Sequence, residues 1–199
     1  MRQSDRINKA LRYVRLLLAK KLPDDMCYHD IRHTVDVYTG AMKYGRMEGF
    51  SEKDIELLGI AGIFHDTGYI ERYEKNEPVG ARIAERYMRK EGFGKVEIRK
   101  VKGLIMATQM PQRPRGMMQR VMCDADLDSL GRNDFMGRGN MLRKEIEIRR
   151  GKRFSDDEWN NIQVNFVSSH KHFTRSAKRL RDAGKRRNIA KLKRMLKNR

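Results

Sequence analysis

The sequence predicts an all-α fold, a single compact bundle of about eight helices followed by a basic C-terminal helix. Apolar residues recur at the three- and four-residue spacing of a helix face through most of the 199 residues. Alternating runs punctuated by hairpin turns, which would predict strands, are almost absent. Charged residues make up 36% of the chain, which is typical of helices with solvated outer faces. The length fits one domain with its own core.

The first three predicted helices differ in how much of their surface is apolar. Residues 4–22 carry one apolar face, and Pro23 ends that helix. Residues 29–49 form a second helix of the same kind. Residues 51–68 form the third, which is apolar on all sides from Leu57 to Phe64. That run is too short to span a bilayer and predicts a central, buried helix.

The rest of the chain predicts further helices separated by glycine and proline. Gly92 and Gly131 follow two of them, and a loop containing Pro111 and Pro114 separates two others. These helices are predicted over residues 77–92, 95–108, 117–131, 133–151 and 155–173, and the C-terminal one over 174–199.

The cysteine content and the apolar segments bear on the compartment. Cys27 and Cys123 are too few for a disulfide framework, which favours a reducing environment. Arg15 breaks the apolar segment near the N-terminus, and no signal peptide is recognisable. We therefore expect no transmembrane segment and a cytoplasmic location.

Two of the five histidines lie four residues apart in the segment CYHDIRHTVDV. On a helix, His29 and His33 would share one face, one turn apart. Two imidazoles so placed can bind one metal ion, or one can bind metal while the other transfers a proton. A solvated surface pair fits the same spacing, so this segment alone leaves both interpretations open.

Two more polar clusters interrupt apolar segments. His65 and Asp66 follow the buried run directly, where burial is costly unless both groups are paired or bound to metal. Asp124, Asp126 and Asp128 alternate with apolar neighbours in a strongly basic protein, which favours a bound cation. A hydrogen-bonded His–Asp pair and an exposed acidic face are the alternative interpretations.

Together these segments supply two imidazoles and two carboxylates from three predicted helices. Such a set can bind a divalent metal ion and leave coordination positions open for water. Mixed nitrogen and oxygen ligands favour a borderline transition metal over calcium. The set consists of His33, His65, Asp66 and Asp126.

The same residues form an ordered H…HD…D series. Its flanking sequences are YHDIRHT, FHDTGY, DADLDSLG and HKHFT. With them the chain resembles the HD-domain superfamily of metal-dependent phosphohydrolases over nearly its whole length, with residues 1–173 as the HD domain. The segment YHDIRHTVDV is also similar to the YHNxxHxxDV signature of cyclic-nucleotide phosphodiesterases, a branch of that superfamily.

The resemblance implies a role for each polar residue. His29 would donate a proton to the leaving oxygen, and Asp66 would act in catalysis as well as in metal binding. Asp126 is preferred to Asp124 because Ala125–Asp126–Leu127 fits the family's A-D-[LR] step. The cofactor would be one divalent ion, with Mn, Fe, Ni, Mg, Co and Zn not distinguished. Its implied ligands are His33, His65, Asp66 and Asp126.

The chain departs from the binuclear members of the superfamily in two segments where those proteins carry further histidines. Asn76 stands in the first segment, and Thr108 and Gln109 stand near the second. We therefore expect one tightly held ion. A second, weaker ion would need Asp66 as a bridge and Glu77 nearby.

The implied reaction is hydrolysis of a phosphate ester of a nucleotide or another small phosphorylated metabolite by a metal-activated water. Arginine can hold the non-reacting phosphoryl oxygens through paired hydrogen bonds. His170 and His172 resemble a C-terminal signature of the family, but a structural or surface role is expected for them. The candidate substrate-binding residues are Arg32, Arg113, Arg115 and Tyr69.

The formal net charge of +19 suggests a second class of function. Residues 174–199 contain twelve Lys and Arg and one acidic residue, with apolar residues at helical spacing. Such a tail could bind nucleic acid or another polyanion, with the HD pocket secondary. It contains no aromatic residue, which argues against base stacking there.

Overall fold

Nine α-helices and two short 3-10 helices make up the computed structural model, which describes residues 3–197. No strand occurs in that range, and the all-α prediction is confirmed. None of its helices is both long enough and apolar enough to cross a membrane. The helices are α1 (Gln3–Lys21), α2 (Ile31–Met47), α3 (Glu52–Phe64), α4 (Glu77–Lys90), α5 (Lys95–Met106), α6 (Met117–Asp126), α7 (Phe135–Arg150), α8 (Asp156–Ser169) and α9 (Arg175–Lys197), with 3-10 helices at Thr67–Ile70 and Asp128–Gly131.

Helix α3 lies at the centre of the bundle, as its apolar sequence predicts. Every residue from Ile55 to Phe64 is buried. Helices α1, α2, α4, α5 and α6 all pack against α3. The polar residues that follow Phe64 therefore emerge inside the protein rather than at its surface.

Two glycines allow the chain to close around the C-terminal end of α3. A Cβ atom on Gly62 would lie 2.6 Å from Cα of Tyr38 on α2. A Cβ atom on Gly68 would lie 1.9 Å from the carbonyl oxygen of Asn76. Both distances are far shorter than van der Waals contact, so larger residues would push α2 and the segment before α4 away from this end of α3.

Besides the predicted helix 155–173, which stops at Ser169, two helices end four or five residues earlier than the sequence predicts. The third predicted helix, 51–68, stops at Phe64, and the backbone leaves helical geometry at Asp66 (φ −103°, ψ 5°). The predicted helix 117–131 stops at Asp126, and Leu127 (φ −99°, ψ 18°) separates it from the 3-10 helix. Each break falls at a carboxylate of the H…HD…D series, so these side chains lie at helix ends.

Helices α7, α8 and α9 build a second, smaller apolar cluster beside the main core. Leu130, Phe135, Val167 and Leu192 form its buried centre. Helix α9, the predicted basic helix, packs against α8 and against the 3-10 helix at 128–131. The division of the chain at residues 173 and 174 stays a prediction.

Candidate metal centre

Three helices supply the four residues of the H…HD…D series. His33 lies in the first turn of α2, where the Asp30 side chain accepts hydrogen bonds from the backbone N–H of Arg32 (2.9 Å) and of His33 (3.2 Å). His65 and Asp66 follow α3 directly, and Asp126 is the last residue of α6. Asp30, the N-cap residue, fixes the start of α2 and so fixes the position of His33.

The four side chains converge on one point. Nε2 of His65 lies 2.9 Å from Oδ2 of Asp66, and Nε2 of His33 lies 3.3 Å from the same oxygen. Oδ1 of Asp126 is 3.4 Å from the Nε2 atoms of both histidines. The two Nε2 atoms are 3.3 Å apart. The ligand atoms of His33, His65 and Asp66 all lie within 4.8 Å of one another, so these residues can share one metal ion.

The donor set fits a divalent cation. Oδ2 of Asp66 is buried and has no hydrogen-bond partner, although it faces both imidazoles. Nδ1 of His65 lies 2.9 Å from the carbonyl oxygen of Gly62, which holds the proton on Nδ1 and leaves the Nε2 lone pair directed at the centre. The centre thus presents imidazole nitrogens and carboxylate oxygens at a buried point, as a transition-metal site does.

The pKa shifts of the two histidines and the two aspartates favour the charged form of each side chain. Burial lowers the pKa of His33 and of His65, but their contacts with Asp66 and Asp126 outweigh it and raise both above the usual value. Burial raises the pKa of each aspartate, but the facing histidines hold both pKa values below the usual value. The carboxylates are therefore anionic near neutral pH and favour a positive charge between them.

Two amides hold the outer oxygens of the carboxylates. Nδ2 of Asn76 donates a hydrogen bond to Oδ1 of Asp66 (3.0 Å), and Nε2 of Gln112 donates one to Oδ2 of Asp126 (3.0 Å). Such outer contacts orient ligating groups. They leave Oδ2 of Asp66 and Oδ1 of Asp126 directed at the histidines.

His29 lies beside the centre and has a partner that the sequence did not reveal. Its Nδ1 is 2.5 Å from Oε1 of Glu145 on α7. The other carboxylate oxygen accepts the backbone N–H groups of His29 (3.1 Å) and Tyr28 (2.8 Å). Glu145 is fully buried, but in the sequence it stands in the charged segment RKEIEIRR and looks like part of a solvated face. A periodicity argument has no signal that would single it out.

The centre opens into a cavity of about 350 Å³. His29, Tyr69 and Glu77 line it together with His33, Asp66 and Asp126. The hydroxyl of Tyr69 lies 3.4 Å from Nε2 of His29. Burial, with a contribution from Asp66, raises the pKa of Tyr69 far above its usual value, so this hydroxyl stays protonated.

The three predicted phosphate-binding arginines lie outside the residues that line this cavity. Arg32 is exposed, and its Nε lies 2.6 Å from Oδ2 of Asp30. Arg113 and Arg115 are exposed on the loop before α6. Their binding role stays a prediction. Arg138, which sequence patterns did not single out, lines the cavity and is buried.

The two other aspartates of the acidic cluster have structural partners. Asp124 accepts the backbone N–H groups of Phe173 (2.8 Å) and Thr174 (2.7 Å) just before α9. Asp128 accepts two hydrogen bonds from Arg181 on α9, at 2.6 and 2.9 Å, and one from the Tyr44 hydroxyl. Of the three, Asp126 alone points to the histidines within residues 3–197.

His170 and His172 lie between α8 and α9 and are not among the residues that line the cavity. Nδ1 of His172 is 2.7 Å from Oδ1 of Asp182, and the two imidazole rings pack edge to face at 4.8 Å. Both residues thus sit in a packed helix junction, where the sequence predicts a structural or surface role.

An all-helical bundle that gathers two histidines and two aspartates at the end of its central helix has the architecture of a metal-dependent phosphohydrolase. Residues 30–129, half of the chain, match the HD domain family, and the chain therefore belongs to the HD-domain superfamily of metal-dependent phosphohydrolases. That range includes His33, His65, Asp66 and Asp126. The predicted resemblance is confirmed, and the likeness to cyclic-nucleotide phosphodiesterases stays a prediction. No curated protein matches the chain.

Proposed function

We propose that the protein hydrolyses a phosphate ester of a nucleotide or another small phosphorylated metabolite, with one divalent ion held by His33, His65, Asp66 and Asp126. The convergence of two Nε2 atoms with an unpartnered buried carboxylate oxygen carries this proposal. When bound, a divalent ion there lowers the pKa of water and polarises a phosphoryl oxygen.

His29 is the proton donor to the leaving oxygen in this proposal. Glu145 accepts a hydrogen bond from Nδ1, so Nε2 is the nitrogen that faces the cavity and can give its proton away. The Tyr69 hydroxyl, 3.4 Å from that Nε2, can help to orient the ring. A fixed donor beside the reacting atoms gains from orientation as well as from acidity.

A single ion fits the surroundings of Asp66 better than two. A carboxylate that bridges two ions uses both oxygens, and here Oδ1 of Asp66 accepts a hydrogen bond from Asn76. Burial and the charges of Asp66 and Asp126 raise the pKa of Glu77, which disfavours its anionic form and so weakens it as a second ligand. A second ion would have to displace the Asn76 amide.

The basic surface of α9 supports a second candidate function, binding to nucleic acid or another polyanion. Nine of its described lysines and arginines are exposed. Cations presented along one helix neutralise phosphates without reading sequence. This function can coexist with hydrolysis, because the exposed cations of α9 are not among the residues that line the cavity.

The decisive experiment combines metal analysis with a phosphate-release screen. The purified protein is stripped, reloaded with Mn, Fe, Ni, Mg, Co or Zn, and tested on nucleotides and simple phosphate esters. We expect about one ion per chain and turnover that depends on it. Asp66→Asn should lose both, whereas Asp24→Asn, an exposed aspartate in the loop before α2, should keep both. Unchanged metal content and turnover in Asp66→Asn would refute the proposal.

A further inference from the structure

The cavity beyond the metal centre is a chamber with apolar walls. Helix α7 contributes Phe135, Leu142 and Ile146, and helix α8 contributes Trp159 and Val167. These side chains line the same 350 Å³ space as His29, His33, Asp66 and Asp126. A molecule whose phosphoryl group lies at the metal centre would therefore place the rest of its structure between α7 and α8.

The mouth of the chamber is apolar as well. Met110, Ile162 and Phe166 line the cavity, yet they are 53%, 43% and 36% exposed. Ile162 and Phe166 lie one turn apart on α8, so they form a continuous edge. Exposed apolar groups grouped at an opening are typical of a surface that a ligand covers.

The chamber offers little to a second charged group. Among its described lining residues, Arg138 is the one charged side chain away from the metal centre. Its guanidinium lies 3.2 Å from Oδ2 of Asp36, an oxygen that also pairs with Arg132 at 3.1 Å, and stacks over the Tyr28 ring at 5.0 Å, so its charge is partly balanced.

Nε of Arg138 and Nε1 of Trp159 are buried without hydrogen-bond partners. The side-chain oxygen of Gln163 lies against Gly139 on α7. The Arg138 and Trp159 donors are too few to match the several hydroxyls of a sugar, which would lose water against walls that are otherwise mostly apolar.

Resting on the proposed hydrolytic function, the geometry points to a phosphate ester whose alcohol is apolar, a hydrocarbon or aromatic group, rather than a nucleotide or a sugar. The phosphoryl group binds at the metal centre, and the alcohol fills the chamber and contacts Ile162 and Phe166 at its mouth. Hydrolysis breaks the phosphorus–oxygen bond, water supplies the hydroxyl that phosphate gains, and His29 supplies the proton to the departing alkoxide. The other proton of the water passes to solvent, from which His29 is reprotonated. The apolar contacts hold the substrate while the chemistry occurs at the other end.

The test is a series of alkyl phosphates from ethyl to hexyl, compared with ribose 5-phosphate and adenosine 5′-monophosphate. Phosphate release is measured with the metal-loaded protein, and binding of each ester is measured separately by calorimetry. We expect kcat/KM and affinity to rise by about threefold to fourfold per methylene, the value for burying one CH₂ group. Hexyl phosphate should then have a higher kcat/KM and a higher affinity than ribose 5-phosphate and adenosine 5′-monophosphate.

Two serine substitutions locate the effect. Ile162→Ser and Phe166→Ser should each reduce the hexyl-to-ethyl ratio by roughly tenfold or more, in turnover and in binding. Ile148→Ser replaces an exposed isoleucine of α7 that does not line the chamber, and it should leave the ratio intact. Turnover or binding that does not depend on the length of the alkyl group, or a preference for adenosine 5′-monophosphate, would overturn the assignment of the chamber to an apolar alcohol. Length-dependent binding with no phosphate release would keep that assignment and overturn the proposed hydrolysis instead.

Discussion

Glu145 gives His29 a defined orientation in the cavity. Its carboxylate accepts the N–H groups of Tyr28 and His29 and faces Nδ1 of the same histidine. Burial raises the pKa of Glu145, but the contact with His29 outweighs it and lowers the pKa, so the group is anionic. In the proposed reaction, Glu145 would be the orienting member of a pair with His29.

His29→Ala should keep the metal and the fold but lose the proton donor. Hydrolysis of ethyl phosphate should fall by roughly 10²–10⁴-fold, the range for loss of a general acid. Hydrolysis of p-nitrophenyl phosphate should fall much less, because its leaving group departs without a proton. Both rates are measured on metal-loaded protein with the metal content verified. Equal losses with the two esters would show that His29 has another role.

Glu145→Gln should cause part of the rate loss expected for His29→Ala without changing the metal content. The amide keeps an oxygen for the backbone donors, but it lacks the charge that holds His29, so the ethyl phosphate rate should fall at least about tenfold. Combined with His29→Ala, it should add nothing further, because both changes disable one unit. Glu147→Gln, which alters a neighbouring carboxylate paired with Arg143, is the matched control. Additive losses would assign Glu145 a purely structural role.

At the scale of helices, the sequence predicts those features that depend on local patterns. The apolar run before His65 predicts the buried α3, and the series of histidines and aspartates predicts which residues meet at its end. The break at Leu127 has no signal in the helical spacing of apolar residues. The break at Asp66 was not predicted, because it depends on how α2 and the segment before α4 pack around Gly62 and Gly68. Glu145 and Arg138 were missed for the same reason, since their neighbours lie on distant parts of the chain.

The junction of α8 and α9 gives the fold a dependence on pH. Burial lowers the pKa of His170 to about 4, helped by the neighbouring His172 and Lys185 and opposed by Asp182. An unfolded histidine has a pKa of about 6.5. Between these values the unfolded chain binds the extra proton, so the free energy of unfolding falls as the pH drops from about 6.5 to about 4.

His170→Gln should remove this contribution. Denaturant unfolding at pH 7.5 and pH 4.5 should show a loss of stability on acidification that is about 1–3 kcal/mol smaller in the variant than in the wild type. The comparison is between the two pH differences, so any stability lost by the substitution itself cancels. An identical dependence on pH in both proteins would mean that His170 takes up a proton in the folded state.

Considered as a whole, the molecule uses its basic C-terminal helix for packing as well as for charge. Ser176, Ala177 and Leu192 are buried, and α9 supplies Arg181 to Asp128. The opposite face of the helix carries the exposed cations. These two faces can be altered separately, because buried contacts and exposed charges fall on different residues.

Removal of α9 should therefore damage the fold, while neutralising its exposed face should not. A chain ending at Phe173 loses Thr174 and Arg181, which leaves Asp124 and Asp128 short of partners. The free energy of unfolding should fall by roughly 3–5 kcal/mol, the cost of breaking one buried ion pair. Replacement of Arg186, Arg187 and Lys191 by glutamine should leave thermal stability and phosphate release unchanged. It should weaken binding to duplex DNA and lower the salt dependence by about one unit for each phosphate contact removed. A shortened chain as stable as the full one would show that α9 is an appendage, and unchanged DNA binding in the triple variant would exclude this face as a polyanion site.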